Sequence, residues 1–301
     1  MNKTIKYQPR LLLSFVFIIV IIFSYTLTAA DANKVKEYFN SALKYEQDGD
    51  LDGALISYQL CVDEDADYID AYINMGSIYF KQKDYQKALE IFKTATEKDK
   101  NNDVAFANRG RVETALKKYA EAEISFKTAI NLNDSDIGLL KELGKVYYKK
   151  RNYKEVIDTF IKFHELGGGD HLTYYMLGKS YQKRDKITDA VKALKKSIEL
   201  NNKYYNSFSS LGQIYLAQGK YTKAANAFKT ALKVNPKKYR ASYNYAVAIE
   251  SNNPDDYNTN ITNWEKFINT AKKNPKAKKD VAIAQQHVKD LKEAKEKANL
   301  Q

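Results

Sequence analysis

The side chains best suited to recognition in this chain are amides that recur at a fixed spacing. Asn40, Asn74 and Asn108 are 34 residues apart, and Asn244 lies four such intervals after Asn108. An amide is both a donor and an acceptor, so a row of asparagines can hydrogen-bond the backbone of an extended peptide with little regard to its sequence. Asn is common in this chain and three positions of the column differ, so a chance column is the alternative. Those positions hold Glu142, Met176 and Ser210.

Positive charge forms a second pattern. Lysines recur every four residues in two segments, and residues four apart share one face of a helix. A basic stripe of this kind attracts an anionic ligand, most simply an acidic peptide segment, and nearby tyrosines could add apolar contact area. An ordinary solvated lysine face is the alternative, because the net charge is +12. The stripe comprises Lys141, Lys145, Lys149, Lys179, Lys183 and Arg111, with Tyr148 and Tyr175 close to it.

Residues for metal binding or acid–base catalysis are sparse. The histidines are His164, His171 and His287, and none has an acidic residue or a cysteine at ligand spacing. The glycines at 167–169 lack the following Lys-Ser/Thr of a phosphate-binding loop. The single cysteine, Cys61, leaves no internal disulfide and is expected to be a buried structural thiol. We therefore expect a non-enzymatic protein with no cofactor and no metal.

A 34-residue repeat sets the elements that position these side chains. Each unit has a small residue with, in most units, a tyrosine three positions later, and then a second segment with apolar residues at offsets of three and four. Such offsets indicate amphipathic helices, and the short polar breaks between the two segments make each unit a helical hairpin. The small residues are Ala42, Gly76, Gly110, Gly144, Gly178, Gly212 and Ala246.

From about Val35 to Pro236 these columns resemble those of the tetratricopeptide repeat, down to the Pro that ends the last full unit. The resemblance implies an all-α, right-handed superhelical solenoid of antiparallel helix pairs whose first helices line a groove. The asparagine column and the basic stripe would then face that groove. Altered local packing is expected at three residues that depart from the family pattern: Glu113, Val156 and Phe163.

Six full units are predicted within residues 33–238, followed by a divergent seventh at 239–274 and a capping helix at 275–301. In the seventh unit we expect the first helix to end near Ser251, and a longer break than usual at residues 252–260. The full units are predicted at about 35–68, 69–102, 103–136, 137–170, 171–204 and 205–238.

The first thirty residues have the pattern of an export signal. Lys3, Lys6 and Arg10 precede the apolar run 11–23, and small residues around Ala30 offer a cleavage site, so residues 1–32 are predicted to be a signal peptide. The alternative is an uncleaved inner-membrane anchor at residues 11–30, since about 20 apolar residues suffice to span a bilayer. Either reading places the rest of the chain outside the cytoplasm, in the periplasm or cell envelope.

The family resemblance implies an adaptor that binds other proteins or peptide segments, acidic ones if the basic stripe is used. The first alternative is a structural subunit of an envelope assembly, such as a secretion, outer-membrane or motor apparatus, that uses its convex face or its ends. The second is a binder of anionic polymers, although nucleic acid is not the expected partner. Membrane contact is expected only through the N-terminal segment, if it is not cleaved.

Overall fold

The computed structural model describes residues 32–300, and across them every regular element is a helix. None of these helices is both long enough and apolar enough to cross a membrane. The predicted signal or anchor segment, apart from residue 32, lies outside the described residues. The chain divides into two compact units, the first ending at Leu139 and the second beginning at Leu140.

The first unit contains three helix hairpins in which consecutive helices pack against each other. Its first hairpin buries Val35 and Ala42 against Ala54 and Tyr58 of the following helix. The helices are α1 (32–48), α2 (Leu51–Glu64), α3 (Ile69–Lys81), α4 (Tyr85–Lys98), α5 (Asp103–Ala115) and α6 (Tyr119–Leu132).

The second unit continues the pattern of antiparallel pairs and ends in one long helix. Its first helix, α7, starts just before the division between the units. The helices are α7 (Ile137–Lys149), α8 (Tyr153–Glu165), α9 (His171–Lys183), α10 (Ile187–Leu200), α11 (Tyr205–Ala217), α12 (Tyr221–Val234), α13 (Tyr239–Asn252), α14 (Tyr257–Ala271) and α15 (Lys278–Asn299), with a 3-10 turn at Pro275–Ala277 before α15.

In each of the six predicted full units, a residue with left-handed backbone conformation (positive φ) follows the first helix. After α3, Lys83 has φ 65°, and the N–H of Asp84 donates to the carbonyl of Tyr79 at 2.9 Å. This bond pattern closes the last helical turn and satisfies carbonyls that would otherwise lack a partner. Only glycine adopts this conformation without steric cost, yet four of the six positions carry a side chain. The positions are Gly49, Lys83, Lys117, Arg151, Asp185 and Gly219.

The glycine column exists because an aromatic ring of the next helix occupies the space of a side chain. A Cβ atom added at Gly144 would lie 2.4 Å from Cε1 of the fully buried Phe160. Such close approach lets the two helices of a hairpin pack without a cavity. Equivalent pairs are Gly76 with Phe92, Gly110 with Phe126 and Gly212 with Phe228, and Leu194 takes the place of the ring opposite Gly178.

Glu113 departs from the tyrosine column and is buried among polar partners. Its side chain is 1% exposed and accepts hydrogen bonds from Arg109 Nε at 2.9 Å and Ser125 Oγ at 2.7 Å. A buried carboxylate requires this kind of compensation, so the substitution is accommodated by polar neighbours rather than by a gap.

The other two departures are accommodated by packing. Val156 is fully buried within the alanine column. Phe163 replaces a small residue and is 5% exposed. Its ring lies over Gly168, where an added Cβ would be 2.3 Å from the ring. The loss of a small residue in the helix is therefore offset by glycine in the loop that follows.

The long break expected at residues 252–260 is wrong. The loop comprises residues 253–256, and α14 already begins at Tyr257. Asp256 caps α14 by accepting the N–H of Thr259 at 3.1 Å. The buried Asn260 donates Nδ2 to the carbonyls of Asn253 and Pro254, which holds the loop against the first turn. The first turn of α14 is largely polar, so the apolar pattern of the sequence did not indicate where this helix begins.

The last helix covers the apolar end of the second unit. Four residues of α15 are buried against α14 and its neighbours, while the other side of α15 is exposed and charged. Glu250 of α13 accepts Nε1–H of Trp264 at 2.6 Å and contacts His287 Nε2 at 2.9 Å, so three helices meet at one carboxylate. The buried residues are Val281, Ala284, Val288 and Leu291.

Candidate protein-binding surfaces

The asparagine column in the first unit is partly engaged in intramolecular bonds. Asn74 Nδ2 donates to the hydroxyl of Tyr58 at 3.0 Å, and that hydroxyl donates to Glu46 at 2.7 Å. Burial, together with Glu46, raises the pKa of Tyr58 well above its usual value. Asn108 accepts from Arg111, and Asn40 is exposed. Asn74 and Asn108 are therefore engaged within the protein, and the column is not a row of open amides.

Asn244 and Arg111 lie apart from their predicted partners along the chain. Asn244 is half-buried on α13 in the second unit, whereas Asn40, Asn74 and Asn108 belong to the first. Arg111 belongs to the first unit, whereas the five lysines of the stripe belong to the second. The second unit alone thus holds the lysine stripe.

Two lysines of the stripe are paired with carboxylates. Lys141 Nζ lies 2.6 Å from Asp170 Oδ2, and Lys145 Nζ lies 2.8 Å from Glu142 Oε1. About a third of each side chain remains exposed. An incoming acidic group would therefore compete with a carboxylate that is already present, which weakens these two lysines as attractors.

The other three lysines have no salt bridge to a carboxylate of residues 32–300. Lys149 and Lys183 are exposed, while Lys179 is half-buried and donates to Gln182 Oε1 at 2.6 Å. Burial, and then the charge of Lys183, lowers the pKa of Lys179 below its usual value. A cation whose environment disfavours its charge gains from an anionic ligand.

Two tyrosines lie on the same helices as these lysines. Tyr148 and Tyr175 are half-buried, and the rings of Tyr175 and Tyr204 meet edge to face with centroids 5.3 Å apart. Burial, with a smaller contribution from Tyr175, raises the pKa of Tyr148 to about 12, so its hydroxyl is neutral at physiological pH. The tyrosines can offer apolar contact and hydroxyl hydrogen bonds beside Lys179.

The histidines have structural partners in the second unit. His164 stacks on Tyr174 with ring centroids 3.9 Å apart and hydrogen-bonds Thr173, and burial lowers the pKa of its imidazole. His171 packs against Tyr204. The contact between His287 and Glu250 joins residues 37 positions apart, so local spacing in the sequence gave no sign of it.

The repeat is confirmed by comparison with known families. Models of the tetratricopeptide repeat match residues 69–102, 104–136, 172–204 and 209–254. Together with the helix hairpins described above, these matches show that the chain is a member of the tetratricopeptide repeat family. No curated protein matches its sequence.

Solved structures show the same fold. YrrB, a tetratricopeptide repeat protein with an unusual peptide-binding site, is 22% identical over 66% of this chain and 97% of its own, with a TM-score of 0.55. The C-terminal part of a repeat protein from Cytophaga hutchinsonii is 17% identical over 79% and 97%, with a TM-score of 0.64. The Pseudomonas aeruginosa protein pilF is 16% identical over 72% and 96%, with a TM-score of 0.56. At these identities the likeness concerns the fold alone.

The fold defines a protein–protein interaction scaffold of a kind that is typically non-enzymatic. Repeats of this type bind other proteins or peptides.

Proposed function

We propose that this protein is a scaffold that binds acidic protein segments on the first-helix surface formed by α7 and α9. The observation that carries the proposal is the environment of Lys179. This half-buried cation has a lowered pKa, donates a hydrogen bond to a neutral side chain and lies one helical turn from a second lysine. A glutamate or aspartate of a partner would supply the missing counter-charge, and Tyr148 and Tyr175 would contact the apolar part of the segment.

The paired lysines define how the segment is selected. Lys141 and Lys145 already have carboxylate partners that offset their charge, so we expect them to contribute less to binding than Lys179 and Lys183. The site would therefore prefer a segment with one or two acids aligned with α9 over a uniformly acidic polymer.

Peptide binding by matched variants tests the proposal. Fluorescence anisotropy of labelled acidic and charge-neutral peptides would be measured with the full chain in a non-ionic detergent. Lys179→Gln with Lys183→Gln should weaken acidic-peptide binding by about tenfold, equivalent to about 1.4 kcal/mol. Lys229→Gln with Lys233→Gln, exposed residues at the same spacing on α12, is the control. Equal affinities for both double variants would contradict the assignment of the site.

The location outside the cytoplasm is part of the proposal. It is supported by the basic start, the apolar run at residues 11–23 and the small residues around Ala30. Fractionation of cells that express the full chain, with protease added to intact and to permeabilised spheroplasts, would test it. Degradation in intact spheroplasts is expected, and protection until the membrane is permeabilised would contradict the proposal.

A further inference from the structure

A second basic site lies at the C-terminal end of the second unit, outside the predicted lysine stripe. A cavity of about 690 Å³ is bounded by α11 and by the loops before α13 and α15. Its lining includes Lys237, Lys238, Arg240 and Lys276 and contains no carboxylate. An adjoining cavity of about 540 Å³ shares Lys237 with it and adds Lys273.

The four cations lack anionic partners within the described part of the chain. None of them forms a salt bridge to a carboxylate there, and all four are exposed. Lys238 lies over the ring of Tyr205 at 5.7 Å from its centroid. Arg240 lies over Tyr239 at 6.0 Å and donates Nε to its hydroxyl at 3.3 Å. The tyrosines therefore hold two of the cations at the cavity without neutralising them.

The backbone adds to the positive potential. Lys238 is the N-cap of α13 and provides no side-chain acceptor for the first turn. The first N–H groups of a helix need acceptors, and the helix dipole places positive potential there, so this end favours an anion. Asp280 acts on Arg240 through its charge but does not line the cavity.

We propose that this cavity binds the phosphoryl group of a small phosphate monoester. Four cations and an uncapped helix start line one cavity, which matches a compact dianion better than the separated single charges of an acidic peptide. The volume lies within the range of small-ligand sites, about 300–1,000 Å³. Tyr205 and Tyr239 form walls for the organic part of the ligand, while Ser209, Gln213 and Asn274 supply polar contacts.

The site is independent of the surface on α7 and α9. It uses two lysines of the loop before α13, an arginine of the first turn of α13 and a lysine of the turn before α15, and none of Lys149, Lys179 and Lys183 lines it. Substitution of Lys179 and Lys183 is therefore expected to leave phosphate binding unchanged. Failure of peptide binding at α9 would leave this proposal standing, and the reverse also holds.

Calorimetric titration of the full chain in non-ionic detergent tests the proposal with inorganic phosphate, glucose 6-phosphate and a hexaglutamate peptide. Both phosphates are expected to bind, and Lys238→Gln with Arg240→Gln to weaken them by about tenfold or more. The control, Lys229→Gln with Lys233→Gln, should bind as the parent does. Tighter binding of glucose 6-phosphate than of inorganic phosphate would identify a phosphate ester as the ligand, whereas equal binding would identify free phosphate. Both outcomes support recognition of the phosphoryl group.

The pH dependence provides a second readout. The second proton of a phosphate monoester leaves near pH 6, so affinity should rise between about pH 5 and pH 7. Carboxylates are already ionised over this interval. Flat affinity over that interval, tighter binding of hexaglutamate than of either phosphate, or equal phosphate binding by the two double variants would each overturn the proposal. Circular dichroism of the variants, all at exposed positions, confirms that any loss is not due to unfolding.

Discussion

The ring of Phe160 occupies the space that a side chain at position 144 would need, since an added Cβ at Gly144 would lie 2.4 Å from Cε1 of the ring. Gly110 stands in the same relation to Phe126, but there the shortest distance is 3.0 Å. The two positions share a column of the repeat and differ in how much room remains.

Gly144→Ala is therefore expected to destabilise the protein by about 1–3 kcal/mol, because the overpacked ring must move. Gly110→Ala should be close to neutral, since a smaller adjustment is offset by the helix propensity of alanine, about 1 kcal/mol better than glycine. Urea denaturation followed by far-UV circular dichroism measures both. Equal midpoints for the two variants would contradict this account of the glycine column.

The carboxylate of Glu113 is expected to be required for stability although it belongs to no predicted site. Glu113→Ala would remove the acceptor of Arg109 Nε and of the Ser125 hydroxyl, at a cost of about 2–4 kcal/mol, although Arg109 would still donate to Thr96. The double variant Glu113→Ala with Arg109→Ala should cost less than the sum of the two single changes. Strict additivity in urea unfolding would show that the pair is not coupled.

Non-glycine residues with positive φ are positions at which a substitution can stabilise the protein. Lys117 has φ 62°, so Lys117→Gly should raise stability by about 0.5–1 kcal/mol by removing the steric cost of the Cβ. The reciprocal change, Gly219→Ala at the corresponding turn, where φ is 68°, should lower stability by about 1 kcal/mol. Thermal unfolding of both variants measures the difference, and a destabilising Lys117→Gly would contradict the argument.

Trp264 reports on the end of the second unit because it is the only tryptophan in the chain. It is 6% exposed and donates to Glu250, which also contacts His287 of α15. Glu250→Ala should shift tryptophan emission to longer wavelength and cost about 1–3 kcal/mol, since the buried Nε1–H of Trp264 loses its acceptor and the partly exposed ring of His287 loses its partner. Glu265→Ala removes only an exposed pair with Lys292 and should leave emission unchanged.

Asp170 is expected to make the start of α9 sensitive to acid. Burial acts to raise the pKa of Asp170, but the hydrogen bonds from Lys141 and from the N–H groups of Thr173 and Leu172 outweigh it and lower that pKa. The stabilisation is therefore fully present above the unfolded-state pKa of about 3.9 and is lost as pH falls through the lower folded-state value.

Asp170→Ala should accordingly cost about 1 kcal/mol near pH 7 and much less near pH 3, measured as urea midpoints at the two pH values. Asp170→Asn keeps the acceptor that caps α9 and loses only the ion pair with Lys141, so it should cost less near pH 7. A gap between Asp170→Ala and the parent that stays the same at both pH values would contradict the assignment.

Much of the architecture follows from local sequence. The 34-residue period, the small residues and the polar breaks predict the hairpins because each acts within one or two helices. The partner of Lys141 was not predictable, because Asp170 lies 29 positions after it and comes near it only through the fold, whereas Glu142 is a local partner of Lys145, three residues away. The basic cavity was missed for the same reason, although Lys237, Lys238 and Arg240 are close in sequence. Lys276 joins them only through the loop after α14.

Within each unit, every extensive helix contact joins neighbours or next-neighbours along the chain, such as α9 with α10 or α11 with α13. Such local contacts give a low contact order, and the loops that must close are short. Folding should therefore be fast, because no helix must wait for a segment that is distant in the sequence. A hairpin can dock as soon as the previous one is formed, which allows stepwise growth in either direction. Fraying at one end would then proceed one hairpin at a time and leave the remaining hairpins folded.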